Sequence, residues 1–216
     1  PGKIINSSAA GDVFGSENVG GLVGININGG VITQSTASGD VTGVGRVDRS
    51  GTDRPNNQIG GLAGSNNNAT ITNSTAIGAV SGEREIGGLV GFNIKGGVTS
   101  NSTAAGQINN TRGSSGLYRP VGGLAGANTV TITDANASGG VNGSDTAGGL
   151  VGNNSGTVNE SYFDKEATGQ STSAGSAENM TTAQMQESAA EDNMGGFDFG
   201  VAWETQTNPN DYPTLT

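Results

Sequence analysis

Gly60-Gly61-Leu62-Ala63-Gly64-Ser65-Asn66 is followed 27 positions later by Gly87-Gly88-Leu89-Val90-Gly91-Phe92-Asn93, and the two stretches differ only at their fourth and sixth residues. The same phrase begins again at Gly20, Gly122 and Gly148. Five leucines (Leu22, Leu62, Leu89, Leu124, Leu150) and five asparagines (Asn26, Asn66, Asn93, Asn128, Asn154) therefore recur at one phase. A second block, built on Ser-x-Ala-x-Gly-x-(Val/Ile), closes at Val41, Val80, Ile108 and Val141, and an isolated copy runs from Ser7 to Val13. Where nothing is inserted the unit is 26 or 27 residues long, as between Leu124 and Leu150 or Leu62 and Leu89. A unit too short to bury its own core, repeated at a fixed period, is the signature of a solenoid.

That length suits one coil of three short strands joined by three turns. The expected fold is all-β: a right-handed parallel β-helix of about five to six rungs. The Leu column and Ile32, Ile71 and Ile132 fill the axis, while Ala37, Ala76, Ala104, Ala137 and the glycines fit the narrow interior and sharp corners. Coils stacked ~4.8 Å apart set equivalent residues over one another, so the five asparagines are expected to form a ladder of side-chain amides that also satisfies turn backbone groups. Asn-x-Ser/Thr triplets such as Asn73-Ser74-Thr75 and Asn101-Ser102-Thr103 share a repeat phase, which favours a structural role over glycosylation.

Composition sets the limits. Glycine supplies 40 of the 216 residues but proline only 5 and no Gly-X-Y period exists, which excludes collagen. With hydrophobic residues at 31% and aromatics at 4%, a wide globular core is hard to fill, and only the repeat argues against disorder. Cysteine and histidine are absent, which removes disulfides, thiolate nucleophiles, His-dependent triads and His or Cys metal sites. No apolar run reaches the ~20 residues of a membrane span. The net charge is −10. Residues 1–156 carry 9 acids and 8 bases, whereas 157–216 carry 10 acids and Lys165 alone. An acidic chain without a basic patch is a poor nucleic-acid ligand.

The pattern changes near Ser161. Residues 1–164 read as the solenoid and 165–216 as a C-terminal cap packed on the last rung, needed because an open coil edge invites aggregation. Within the cap, Thr181 to Ala190 has helix formers behind a Thr cap, and Phe197-Asp198-Phe199 and Val201-Ala202-Trp203 carry large aromatics. No cap is evident at the other end, so further rungs or domains of a parent chain are expected before Pro1.

The units GGLVGIN, GGLAGSN, GGLVGFN, GGLAGAN and GGLVGNN resemble the GLUG repeat of bacterial surface proteins. That repeat occurs in filamentous-haemagglutinin-like adhesins and in the repeat regions of IgA-specific metallopeptidases, and the tail SYFDKEATGQSTSAG with MTTAQMQ looks like the usual ending of such arrays. The resemblance implies an extracellular or cell-surface adhesion module. It does not carry proteolysis over, because those peptidases need a zinc-binding His-Glu-x-x-His.

Candidate chemistry is sparse. Asp40, Glu83 and Asp134 come from different rungs and offer no recurring carboxylate pair for glycoside cleavage, so no enzyme activity, catalytic residue or cofactor is expected. Thr70-Ile71-Thr72 and Thr131-Ile132-Thr133 read as solvated strand faces rather than an ice-binding plane. Calcium takes oxygen ligands that Glu17, Asp48 or Asp53 could supply, although no Asp-rich loop is present. The connectors say more. From Val13, Val41, Val80, Ile108 and Val141 to the following Gly the steps are 7, 19, 7, 14 and 7, so two insertions sit at one phase on alternate rungs. All six arginines lie in these connectors: Arg46, Arg49, Arg54, Arg84, Arg112 and Arg119. Glu17, Asp48, Asp53, Glu83, Glu85 and Asp145 share them. Either the charges pair locally, away from ladders where like charges would stack, or the arginines and Tyr118 hold an acidic glycan or protein segment. The expected function is an adhesin-type binding module that contacts a host or neighbouring-cell glycan or protein through these loops. A purely structural spacer and a carbohydrate-active enzyme are the rivals.

Overall fold

The computed structural model describes residues 1–44, 57–112, 120–143, 146–206, 208 and 211–216. Among these, parallel strands stack in register into five coils, and each coil has four arms rather than three. The first arm is the longest (Thr70–Ala76, Val98–Ala104, Thr131–Ala137) and the second is short (Val80–Gly82, Ile108–Asn110). The third is two residues long (Ile59–Gly60, Ile86–Gly87, Val121–Gly122) and the fourth holds the repeated phrase (Ala63–Asn67, Val90–Ile94, Ala125–Asn128). Register follows the repeat: Ile86 pairs with Ile59 and Val121, and Asn93 with Asn66 and Asn128.

The additional arm is a product of the glycines. At Gly-Gly-Leu the chain folds back so tightly that a Cβ on Gly60 would stand 2.1 Å from the Ala63 carbonyl oxygen. The third glycine of the phrase then passes the third arm backbone to backbone, a Cβ on Gly91 meeting the Ile59 nitrogen at 2.4 Å. A pair of arms this close needs glycine on both sides.

This waist divides the interior into two apolar columns. One holds Leu62, Leu89, Leu124 and Leu150 with Ile32, Ile71, Ile132 and Ala37, Ala76, Ala104 and Ala137; Leu22 packs against it partly exposed. The other, between the second and third arms, holds Val41, Ile59, Val80, Ile86, Ile108, Val121 and Val141. Each buried Leu or Ile contributes roughly 1.5–3 kcal/mol.

Two polar ladders run beside the columns. Asn26, Asn66, Asn93 and Asn128 each donate from Nδ2 to the Oδ1 of the next asparagine, at 2.9, 2.9, 3.0 and 2.7 Å, and the series ends on Asn154. The same amides donate to first-arm carbonyls such as Thr70 and Thr131. The second ladder is of serine. Ser35, Ser74 and Ser102 donate to the carbonyl two residues back, and the Ser35 and Ser74 backbone N–H groups donate to the hydroxyls of Ser74 and Ser102. Ala135 interrupts the series, which resumes with the Ala135 N–H donating to Ser161. The residue before each of these positions is left-handed (Gln34, Asn73, Asn101, Asp134, Glu160; φ 43–51°), which breaks the strand alternation and turns the serine inward. Asn73 and Asn101 of the Asn-x-Ser triplets thus serve as kinks.

After a sixth pass of the first arm the chain closes the coil. Phe163 enters the Leu column, and Glu178–Met180 pairs beside Tyr162–Asp164. Thr172, Ser173 and Ala174 bond to the exposed edge at Gly149, Leu150 and Val151. Asp164 N-caps the helix Lys165–Thr168, and Thr181 with Gln184 forms a capping box on Thr182–Met185, followed by Glu187–Asn193. Trp203, stacked on Phe197 at 4.2 Å, anchors a separate small core with Met180, Met185 and Met194. Trp203 opens the short strand Trp203–Glu204, paired antiparallel with Thr214–Leu215. From there the C-terminal residues run back along the outer face of the first arms, and Thr216 shares a cleft with Asn6.

Candidate functional site

The corner between second and third arms is where the coil departs from uniformity. Second-arm strands end at Gly15, Gly43, Gly82, Asn110 and Asn142, and third-arm strands begin at Val19, Ile59, Ile86, Val121 and Ala147. The second and fourth coils carry the long connectors, so both leave and rejoin the coil at one corner, two coils apart, about 10 Å along the axis.

Of the seven residues expected to bind ligand, Arg84 and Arg112 are described. Arg46, Arg49, Arg54, Tyr118 and Arg119 lie outside the described residues, as do Asp48, Asp53 and Asp145. Arg112 Nε stands 3.2 Å from Glu83 Oε2, a pair joining the third and fourth coils. Arg84 acts electrostatically on Glu85. Burial raises the Glu85 carboxyl above its ordinary range, against the opposing pull of a Gln58 hydrogen bond and the Arg84 charge.

Where the chain enters the third arm in the second and third coils sits a polar cluster that the sequence does not signal. Asn57 is buried with neither amide atom hydrogen bonded, and Arg84 Nε and Glu85 Oε2 are likewise buried without hydrogen-bond partners. Register places Asn57 over Arg84 and Gln58 over Glu85, because Ile59 pairs with Ile86.

The carboxylates weighed for catalysis are apart. Asp40 lies in the second coil, where its carboxylate accepts the Ala79 N–H and its own N–H donates to Asp12, a cross-coil turn bond. Glu83 is held by Arg112 in the third coil. Asp134, in the fifth coil, accepts from the Thr133 hydroxyl; burial raises its carboxyl, and neighbouring Glu160 adds to the effect. Among the described residues no group of three or more acidic side chains is arranged to hold a metal ion. No helix among them is long and apolar enough to cross a membrane.

The model of the GLUG motif matches residues 15–42 and 55–81. Halomucin from Haloquadratum walsbyi is 32% identical over 94% of the chain, and a putative Gly-rich membrane protein from Evansella cellulosilytica is 34% identical over 68%. The chain spans about 2% of the length of the first and 14% of the second. No solved structure matches it. Each matched stretch spans one pass around the coil, and the same phrase recurs at Gly87, Gly122 and Gly148 in the same register: two of the chain's repeats are GLUG motifs, and the others repeat their Gly-Gly-Leu phrase.

Proposed function

We propose that this chain is a segment of an extracellular, cell-surface protein in which a stiff coil presents two long connectors side by side as an adhesin-type binding surface. The observation that carries the reading is their placement. Both insertions leave the second arm and rejoin the third, on alternate coils, while the remaining connectors at that corner stay short. Scattered insertions would be neutral for a spacer, whereas two at one corner make a surface. Five of the six arginines belong to or flank these two loops, and a guanidinium fork matches carboxylate or sulfate, which points to an acidic glycan or acidic protein segment. The names of the relatives, a halomucin and a membrane protein, support a surface setting. No catalytic role is assigned, since the carboxylates are dispersed.

The Arg112–Glu83 pair favours a second reading, a purely structural spacer in which connector charges neutralise one another. Binding of dextran sulfate and polyglutamate to Arg49→Ala/Arg54→Ala/Arg119→Ala decides between them. The adhesin reading expects at least a tenfold loss with unchanged melting. Equal binding by parent and variant, or none by the parent, establishes the spacer.

A further inference from the structure

Away from the corner between second and third arms the chain builds a groove. Its floor is the outer face of the first arms and its wall is the returning C-terminal segment. Asn6, Gln34, Asn73 and Thr36 line one half with Thr214 and Thr216, a cleft of about 300 Å³. The other half, about 340 Å³, is lined by Ile77, Ala105, Tyr212 and Pro213 among others. Thr75 and Thr214 line both, and together the lining residues run from the first coil at Asn6 to the fifth at Ser138. Each volume falls within the range of small-ligand pockets.

We infer that this groove binds an extended, uncharged polysaccharide, with about one sugar residue per coil.

Three features lead there. The first is periodicity. Asn6, Gln34 and Asn73 occupy the left-handed position of successive coils (φ 47–49°), where the kink lifts the side chain out of the pleat. Coils rise by ~4.8 Å, close to the advance per residue of an extended glycan, so one amide meets each sugar in turn. The second is chemistry. Amides and hydroxyls both donate and accept, as a polyol requires. In the other half Tyr212 and the exposed Ile77 provide the apolar surface that packs against the C–H face of a sugar ring.

The third is charge. Among the described residues no arginine or lysine lines either half, and the carboxylate present is Asp211. An acidic glycan has no counter-charge here, in contrast to the arginine-bearing corner. An extended peptide is disfavoured because the first-arm strands are already paired along the stack, and the groove lies on a face where main-chain pairing is impossible.

The test is titration of the whole chain with uncharged β-linked glucan oligosaccharides of two to six residues, by calorimetry and by saturation-transfer NMR. Affinity is expected to rise with length and level off at four or five residues. Gln34→Gly/Asn73→Gly removes two amides while keeping a residue that tolerates left-handed backbone, and is expected to lower affinity at least tenfold with the melting curve retained. The connector triple variant is expected to bind these glucans like the parent. Absence of millimolar binding by any oligosaccharide, equal binding by the double glycine variant, or loss in the connector variant would each overturn the groove. Because the two sites take opposite ligand charge, failure at the groove leaves the connector reading standing, and the reverse holds.

Discussion

The coil and the segment that closes it bury apolar surface by opposite means. Among the described residues, no aromatic ring is buried before Tyr162 and Phe163; the coil interior is Leu, Ile, Val and Ala in columns, with glycine at the waist. The closing segment packs Trp203, Phe197, Met180, Met185 and Met194 as unlike neighbours. In the coil each side chain is specified by the one above and below it, so tolerance belongs to the column. In the closing segment it belongs to the individual contact. Stacking substitutes register for bulk, which lets a chain with few large residues fold.

The largest effect should come from breaking a column with charge. Leu89 is fully buried between Leu62 and Leu124 in the stack, with no polar group placed to receive a carboxylate. Leu89→Asp is expected to cost at least ~4 kcal/mol and to remove the cooperative urea transition. A loss of under ~1 kcal/mol would mean that the column does not carry the coil.

Truncating the ring at the centre of the other core should be nearly as costly but local. Trp203→Ala removes a fully buried indole stacked on Phe197, a loss of about 3–5 kcal/mol. Hydrogen exchange separates the cases: amides of 178–216 should lose protection while those of Ala63 and Val90 keep theirs. Equal loss in both regions would show one cooperative unit and collapse the contrast.

How much of this is legible in the sequence follows from the same contrast. A column announces itself, because Leu and Asn return at one phase and stacked coils give each return a neighbour. Two residues announce nothing: the third arm, Ile59–Gly60 and its equivalents, is too short to show a strand period, so the recurring Val41, Val80, Ile108 and Val141 show half of the second column but not the arm that faces them. The serine ladder depends on a left-handed residue before each serine, and Gln34 and Glu160 are not types that advertise that conformation. Nor does local sequence show that the C-terminal residues return to Asn6, since that path is set by tertiary contact. The connector arginines are conspicuous by position, but the buried Asn57 is not, because an isolated amide looks like any turn residue.

Smaller effects should follow from interrupting a polar column. Asn93→Ala removes the Oδ1 that receives Asn66 and the Nδ2 that donates to Asn128 and to the Thr131 carbonyl. Partners on both sides stay buried, so a cost of about 2–3 kcal/mol is expected in chemical denaturation. Asn154→Ala, at the end of the ladder and partly exposed, should cost about 1 kcal/mol. Equal costs would mean that the asparagines act singly rather than as a stack.

The smallest effect has the opposite sign and bears most directly on the comparison. Both regions hold a buried donor without a hydrogen-bond partner, Thr99 Oγ1 in the coil and Trp203 Nε1 in the closing segment. Thr99 pairs with Ile71 and Ile132 in the first-arm register, a hydroxyl in a column of hydrocarbon. The column itself names the repair. Valine has nearly the shape of threonine and no polar atom to leave unsatisfied, so Thr99→Val should raise stability by about 1 kcal/mol, read as a higher urea midpoint at unchanged slope. No neighbour supplies such a template for Trp203: phenylalanine removes the orphan N–H but leaves the volume of the second ring empty, and the cavity cost exceeds the polar gain. Trp203→Phe should therefore destabilise where Thr99→Val stabilises. If Thr99→Val instead lowers the midpoint, the hydroxyl is satisfied within the coil, and the rule that a column specifies its own best residue fails at that position.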